Sequence, residues 1–457
     1  MSKFSVIGGG MLGMRTAQLL ARAGADVTLY EAADHLGGLA DAWQLGDVTW
    51  DRHYHVTLLS DLELRGVLED LGLEDAIKWV ETKTGFFTDG NLYSMSNTVE
   101  FLKFPPLGFI DKLRLGGTIF LGSKIRNWAK LEQIHVADWL QKWSGKRTTQ
   151  KIWLPLLRAK LGENYKKTSA AFIWATIARM YAARRSGLKK EMFGYVSGGY
   201  KKLLDRYEEQ LLADGVKIRT SCALQHVEST DDGVGLTFGD GSHQRTDNVV
   251  MTIPSPLISK MCPQLNPTEH EKLNGIQYQG IVCASLVLKE SLSPYYVTNI
   301  TDDWVPFTAV IEMSALVDKS EFGGNALIYL PRYADPTDPV FEKSDDELRE
   351  EFVSALEKMY PHFSRDHVEA FKVSRVRHVV GLSTLNYSKN LPDMKTSMPG
   401  VYAVNSAQIV NGTLNVNESL LLARRTFDEL LEPAMHEGSH NAQSVAERTA
   451  EPVGSEA

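Results

Sequence analysis

One run of residues constrains this chain more than any other: Phe4-Ser-Val-Ile-Gly8-Gly-Gly10-Met-Leu-Gly13. Residues 4–7 read as a short apolar strand, and residues 14–23 carry helical periodicity, so the glycines of G-x-G-x-x-G lie in a strand-to-helix turn. Gly8 permits the tight turn, Gly10 lets a pyrophosphate approach the main chain, and Gly13 lets helix and strand pack closely. Met11 and Leu12, within the turn, are further candidates for cofactor binding, and the N-terminus of the helix that follows faces the phosphates. A second strand, residues 27–30, ends at Glu31, which lies 23 residues after Gly8 and is spaced to accept hydrogen bonds from ribose hydroxyls. The unit predicts an α/β fold of Rossmann type binding a dinucleotide, and the acid disfavours a 2′-phosphate.

At 457 residues the chain is about three typical domain lengths, so more than one packed unit is expected around this nucleus. Cys222, Cys262 and Cys283 show neither metal-ligand spacing nor a disulfide framework, and a cytoplasmic protein is expected. No apolar run approaches the roughly 18 residues that cross a bilayer. The formal charge is −8, unevenly spread. Residues 141–202 hold fifteen Lys or Arg against Glu163 and Glu191, a local +13, leaving −21 elsewhere. That stretch suits phosphate or carboxylate groups of an anionic substrate, or else forms a solvated face that complements the acidic remainder. Nucleic acid is not expected, since no nucleic-acid motif accompanies the charge.

Further glycines follow the ribose-binding acid in Glu31-Ala-Ala-Asp-His-Leu-Gly37-Gly38. The run from Val6 to Gly38 resembles the FAD fingerprint of the flavin-containing amine oxidoreductase superfamily. That superfamily includes amine oxidases, protoporphyrinogen oxidases and phytoene desaturases, and UDP-galactopyranose mutases are related to it. Val227, within His226-Val-Glu228, and residues 249–254 resemble middle strands of the family's FAD domain, where a valine main chain meets the adenine. Pro399-Gly-Val-Tyr-Ala-Val-Asn405-Ser-Ala-Gln408, with Asn415-Val416-Asn417-Glu418, is similar to its closing flavin motif, where a helix N-terminus points at the flavin. The resemblance implies a Rossmann-type FAD-binding domain built from discontinuous segments, 1–60, 195–265 and 395–432. It also implies an α+β substrate domain from 61–194 and 266–394. Residues 433–457 read as a disordered tail.

Departures from the family sharpen the expectations. Leu39 stands where many relatives carry an arginine that supports the pyrophosphate, so neutralisation must come from elsewhere. Asn405 replaces an acid usual in amine oxidases, which argues against an amine substrate. No cysteine follows Cys283, so non-covalent FAD is expected. By resemblance, Trp50-Asp-Arg-His53-Tyr-His55 passes beside the isoalloxazine, where the two histidines are candidate proton donors or acceptors. Alternation along an extended segment would equally place both on one packed or solvated face.

Arg184 and Arg185 are the candidate substrate-binding residues of the basic stretch. Residues 101–126, aromatic and basic, read either as a peripheral membrane patch or as substrate-domain core with lysines outside, and the core reading is the expectation. The function expected is FAD-dependent oxidation, with hydride passing from a substrate C–H bond to flavin N5. The alternative is a redox-neutral sugar-nucleotide mutase. A single dinucleotide fingerprint argues against a built-in NAD(P)H reductase, so reoxidation is expected from oxygen, a quinone or another carrier.

Overall fold

The computed structural model describes residues 1–183, 192–410 and 412–436. A five-stranded, wholly parallel sheet gathers β1 (Lys3–Ile7), β2 (Asp26–Tyr30), β3 (Lys217–Arg219), β4 (Asn248–Met251) and β5 (Val401–Ala403), in the order β5-β4-β1-β2-β3. Strands from distant parts of the sequence thus complete the sheet begun by the first turn. The order reverses at β1, whose neighbours are β2 and β4. Such a switch point leaves a crevice beyond the C-terminal ends of the strands.

Helix α1 (Met11–Arg22) follows β1, and α2 (Leu62–Asp70) packs on the same layer through Leu64, Val67 and Leu68, although chain order alone would assign it to the intervening region. The sheet's helical cover is completed by α4 (Gly199–Ala213) and α5 (Val416–Thr426), while α3 (Phe109–Gly122) belongs to a separate helical layer. After α5 the helical path continues through residue 436, and Ala434 and Met435 pack on the first core. The irregular tail expected from residue 433 therefore does not begin there, because these two apolar side chains have a surface to bury. Residues 437–457 lie outside the described residues.

A seven-stranded mixed sheet forms the second large layer. An inner strand, Tyr278–Leu288, second from one edge, is buried at every position and lies between Val368–Gly381 and Ala326–Ala334. An unbroken apolar run of this kind is what a strand covered on both faces requires. Residues 104–177 supply the helical layer, whose core includes Phe104, Leu107, Leu115, Trp139 and Trp153.

The expectation that residues 101–126 form core with lysines outside is only half met. Phe104, Leu107 and Leu115 are buried, but Phe109, Ile110, Leu113 and Phe120 face solvent. Lys112, expected outside, is buried and its Nζ donates to the Leu102 carbonyl at 2.7 Å. The reason is that α3 is apolar on two faces and only one of them meets the core.

Candidate functional site

The first turn is built around glycine for two different reasons. At Gly13 a Cβ would lie 1.9 Å from the Gly8 carbonyl oxygen, so helix–strand packing itself excludes a side chain. At Gly10, with φ −76°, the nearest atom to a Cβ would be the Gly38 Cα at 3.9 Å. No protein atom demands glycine there, and an open cradle is left in front of the main chain. Gly10 caps α1 without any side-chain acceptor, so the first N–H groups of the helix have no intrahelical partner and are aimed where an anion would sit. Gly37 bridges to Gly10, and Gly38, at φ 59°, closes the far side of the cradle.

Glu31 is fixed at the end of β2 by two main-chain donors: Gly9 N–H to Oε2 at 2.6 Å and Ala33 N–H to Oε1 at 2.8 Å. The carboxylate keeps lone pairs for hydroxyl donors. Val227 points its side chain into a core and is fully buried. It lies on the edge strand Leu224–Thr230 of a three-stranded antiparallel sheet, so one flank of that strand's main chain has no strand partner and is available to a ring edge.

At the C-terminal end, the asparagine side chains are occupied. Asn405 Oδ1 accepts from Ala407 N–H at 3.0 Å, and its Nδ2 donates to Ser255 Oγ at 3.0 Å. Asn415 caps α5 by accepting from Glu418 N–H at 3.1 Å. Asn417 Oδ1 accepts from both Glu63 and Leu64 N–H at 3.1 Å and so caps α2. Any contact of these residues with a cofactor is therefore made by the main chain, at the first-turn N–H groups of Val416 and Asn417.

The two histidines are not equivalent, contrary to the alternation argument. Residues 52–56 leave the strand geometry that alternation requires. His53 is buried, and its Nδ1 lies 3.1 Å from the Leu39 carbonyl. A carbonyl only accepts, so Nδ1 carries the proton and Nε2 the lone pair. Nε2 is buried with no hydrogen-bond partner among the described residues. Burial, then the neighbouring His55 and Arg52 charges, push the ring down to about 3, against the single opposing bond to Leu39. With the ring neutral, Nε2 presents a lone pair, the acceptor side of the donor-or-acceptor role expected for it.

His55 turns the other way. Its ring stacks on Tyr200 with centroids 4.5 Å apart, and Nδ1 lies 3.4 Å from Asp51 Oδ2. Asp51 is buried and accepts from Tyr200 N–H at 2.7 Å, placing an acid at the N-terminus of α4. His55 Nδ1 is, like His53 Nε2, buried with no hydrogen-bond partner among the described residues.

The same loop is clamped to the seven-stranded sheet. Tyr329 donates to the Asp51 carbonyl, and the Tyr54 and Tyr333 hydroxyls are 2.9 Å apart. The sheet face beneath carries Ile281, Cys283, Val376 and Val379. Gln279, on the same strand as Ile281 and separated from it by an irregularity in the pairing with Val368–Gly381, is buried with neither amide atom hydrogen-bonded among the described residues. Sequence reasoning missed Gln279 and the tyrosine pair. The only signal was one amide in an otherwise apolar strand, YQGIVCASLVL.

Arg184 and Arg185 lie outside the described residues. Several described cations of the basic stretch already hold carboxylates: Lys151 with Asp89 at 2.6 Å, Lys166 with Glu163 at 2.6 Å, and Arg179 with Asp61 at 3.2 Å. Two cations of the stretch lie beside the loop: the Lys160 ammonium is 5.4 Å from the ring centroid of Tyr333, and Arg179 pairs with the buried Asp61.

The cradle, the unpartnered His53 Nε2 and the helix N-termini fit a flavin dinucleotide, and the likenesses to known proteins agree. Residues 13–408 match the model of the flavin-containing amine oxidoreductases. Zeta-carotene desaturase from Synechocystis is 22% identical over 88% of this chain and 92% of its own length. Coproporphyrinogen III oxidase from Mycobacterium bovis is 22% identical over 76% and 79%. In fold, reduced UDP-galactopyranose mutase superposes with a TM-score of 0.72 at 14% identity, covering 94% of this chain and 96% of the mutase.

Proposed function

The chain belongs to the flavin-containing amine oxidoreductase family and is a flavin-dependent oxidoreductase; from that premise we propose that its cofactor is non-covalently bound FAD and that its substrate is apolar at the reacting carbon. When bound, flavin accepts a hydride from a substrate C–H bond. Gly10 and the first turn of α1 would hold the pyrophosphate, Glu31 the adenosine ribose, the main chain at Val227 the adenine, and the Val416 and Asn417 N–H groups the pyrimidine carbonyls. The observation that carries the FAD reading is the Gly10 cradle, which stays open although nothing in the protein requires glycine there.

His53 Nε2 supplies a fixed acceptor and no proton. The apolar sheet face with Ile281, Val376 and Val379 excludes water from the reacting carbon, and the Tyr54–Tyr333 pair and Gln279 offer the polar contacts that orient the substrate. This lining favours a hydrocarbon-rich substrate over an anionic one. An anionic group on the substrate would meet Lys160, whose ammonium lies 5.4 Å from the Tyr333 ring centroid, in addition to Arg184 and Arg185. The two electrons removed leave through dioxygen, a quinone or another carrier.

Turnover starting from oxidised, yellow protein, with one two-electron acceptor reduced per product formed, is the expected result. Activity seen only after dithionite reduction, with no net electron consumption, would replace this reading by the mutase alternative. Denaturation in acid should release all the flavin, and fluorescence left on the denatured band of a gel would contradict the non-covalent attachment.

A further inference from the structure

Helix α3 is hydrophobic around more of its circumference than packing on the core requires. Leu115 and Thr118 face the helical core, whereas Phe109, Ile110, Leu113 and Phe120 are exposed over 68%, 69%, 57% and 52% of their surface. With Gly116, Gly117 and Leu121 they share one stripe, since positions 109, 113, 116, 117 and 120 follow the spacing of three to four residues that returns to the same side. A Cβ at Gly116 or Gly117 would meet nothing within 4 Å, so the stripe is flat and unobstructed at its middle. Val99 and Leu102 of the preceding short helix, Thr98–Lys103, are exposed as well. A helix apolar on both faces needs a second apolar phase beside it.

The charge around the stripe says which phase. Residues 98–130 carry six Lys or Arg and two acids in a chain whose net charge is −8. Of those six, Lys103, Arg114, Lys124, Arg126 and Lys130 are exposed. The Lys124 ammonium lies 5.4 Å from the Phe120 ring centroid, at the border of the stripe. Asp111, one of the two acids, lies 3.5 Å from Arg147 and is offset by it. A two-fold contact between copies of this chain would set the same cations against each other. An anionic lipid surface meets both features at once, apolar side chains entering the acyl boundary and cations facing the headgroups. Among the described residues no helix is long and apolar enough to cross a membrane.

We propose that α3 and the short helix before it form a monotopic docking face for an anionic lipid bilayer, with Phe109, Ile110, Leu113 and Phe120 inserted and Lys103, Arg114 and Arg126 at headgroup level. The inference is independent of the reaction assigned above. It is tested by flotation of the flavin-loaded full chain with phosphatidylcholine vesicles, with and without phosphatidylglycerol. The wild-type chain is expected to float with the mixed vesicles, less with pure phosphatidylcholine, and less again in high salt, each engaged cation accounting for about fivefold in partition.

Phe109→Ser/Ile110→Ser/Phe120→Ser should cut binding at least about tenfold while leaving the circular dichroism melt and flavin content unchanged, because these side chains make little of the core. Lys103→Glu/Arg126→Glu should abolish the preference for phosphatidylglycerol. Should the triple variant misfold, Phe109→Ser alone is expected to weaken flotation severalfold. The proposal is overturned by a wild-type chain that binds neither vesicle, by a folded triple or single variant that binds equally well, or by a wild-type dimer that the triple substitution dissociates with no vesicle binding in either protein.

Discussion

Gly10→Val is expected to yield a folded but colourless protein. A Cβ at Gly10 meets no protein atom closer than the Gly38 Cα at 3.9 Å, and the residue's φ is negative, so the branch point of a side chain is opposed by neither packing nor backbone strain. What it fills is the space in front of the unpartnered N–H groups of α1. Losing two charge-assisted hydrogen bonds to a pyrophosphate weakens flavin binding by about 100-fold or more. Gly13→Ala should behave in the opposite way. Its Cβ overlaps the Gly8 carbonyl oxygen, so β1 and α1 must separate, at a cost of about 1–3 kcal/mol or more in stability before any cofactor is considered. Flavin absorbance and thermal melts on both purified variants decide the matter. Full flavin content in Gly10→Val would place the pyrophosphate elsewhere.

The second large effect is a pH dependence located at one ring. His53 is held down to about 3 in the folded protein, chiefly by burial, while an unfolded histidine titrates near its ordinary 6.5. The unfolded state therefore binds the extra proton first. No penalty exists well above pH 6.5, and below it the folded state loses stability progressively until the folded ring itself titrates near 3. At pH 5 the loss from this group is about 2 kcal/mol, from roughly 1.4 kcal/mol for each of 1.5 pH units. The His53 contribution is read as the difference between the native chain and His53→Asn in the loss measured by urea unfolding at pH 7 and pH 5, because Glu312, pushed up to about 7 by burial, moves the total in the opposite sense. His53→Asn, which has no titrating ring, should be less stable at pH 7 but lose less on acidification. Equal losses in both proteins would mean that His53 is not held neutral by burial. In the same range the pH profile of turnover should show no break that disappears with His53→Asn, since a group that stays neutral cannot serve as the general acid.

The dinucleotide turn was readable because its chemistry is local. Gly8, Gly10, Gly13 and Glu31 lie within 24 residues, and the geometry of a strand, a tight turn and a helix follows from their own φ requirements. The helix Asp345–Met359 is equally local in origin, Ser344 and Glu347 forming a capping box ahead of an amphipathic run. The hairpin turn at Asp240-Gly241 is local in the same way, with Gly241 at φ 81°. In contrast, the roles of Asn405, Asn415 and Asn417 could not be separated by sequence. Each is an asparagine near a helix start, and which N–H groups a side-chain oxygen reaches depends on what else is packed there. For Asn417 the answer is α2, more than 350 residues away.

The histidine pair shows the limit most clearly. Spacing alone made His53 and His55 partners on one face. The loop that carries them is bent by contacts from three remote places: the Leu39 carbonyl, the N-terminus of α4 through Asp51 and Tyr200, and the sheet tyrosines Tyr329 and Tyr333. Those contacts leave one ring neutral with an unpartnered lone pair and turn the other into a stacking residue. In α3, likewise, periodicity marked the apolar positions without distinguishing the buried face from the exposed one, because both faces are apolar and only the neighbouring helices decide which is covered. By itself, then, the sequence determined the parallel α/β nucleus, the phosphate-facing turn and the family, since these depend on short-range backbone geometry that residue type dictates. Protonation, side-chain direction and solvent exposure were decided only by the tertiary structure, because each depends on which distant groups remove water from a given atom.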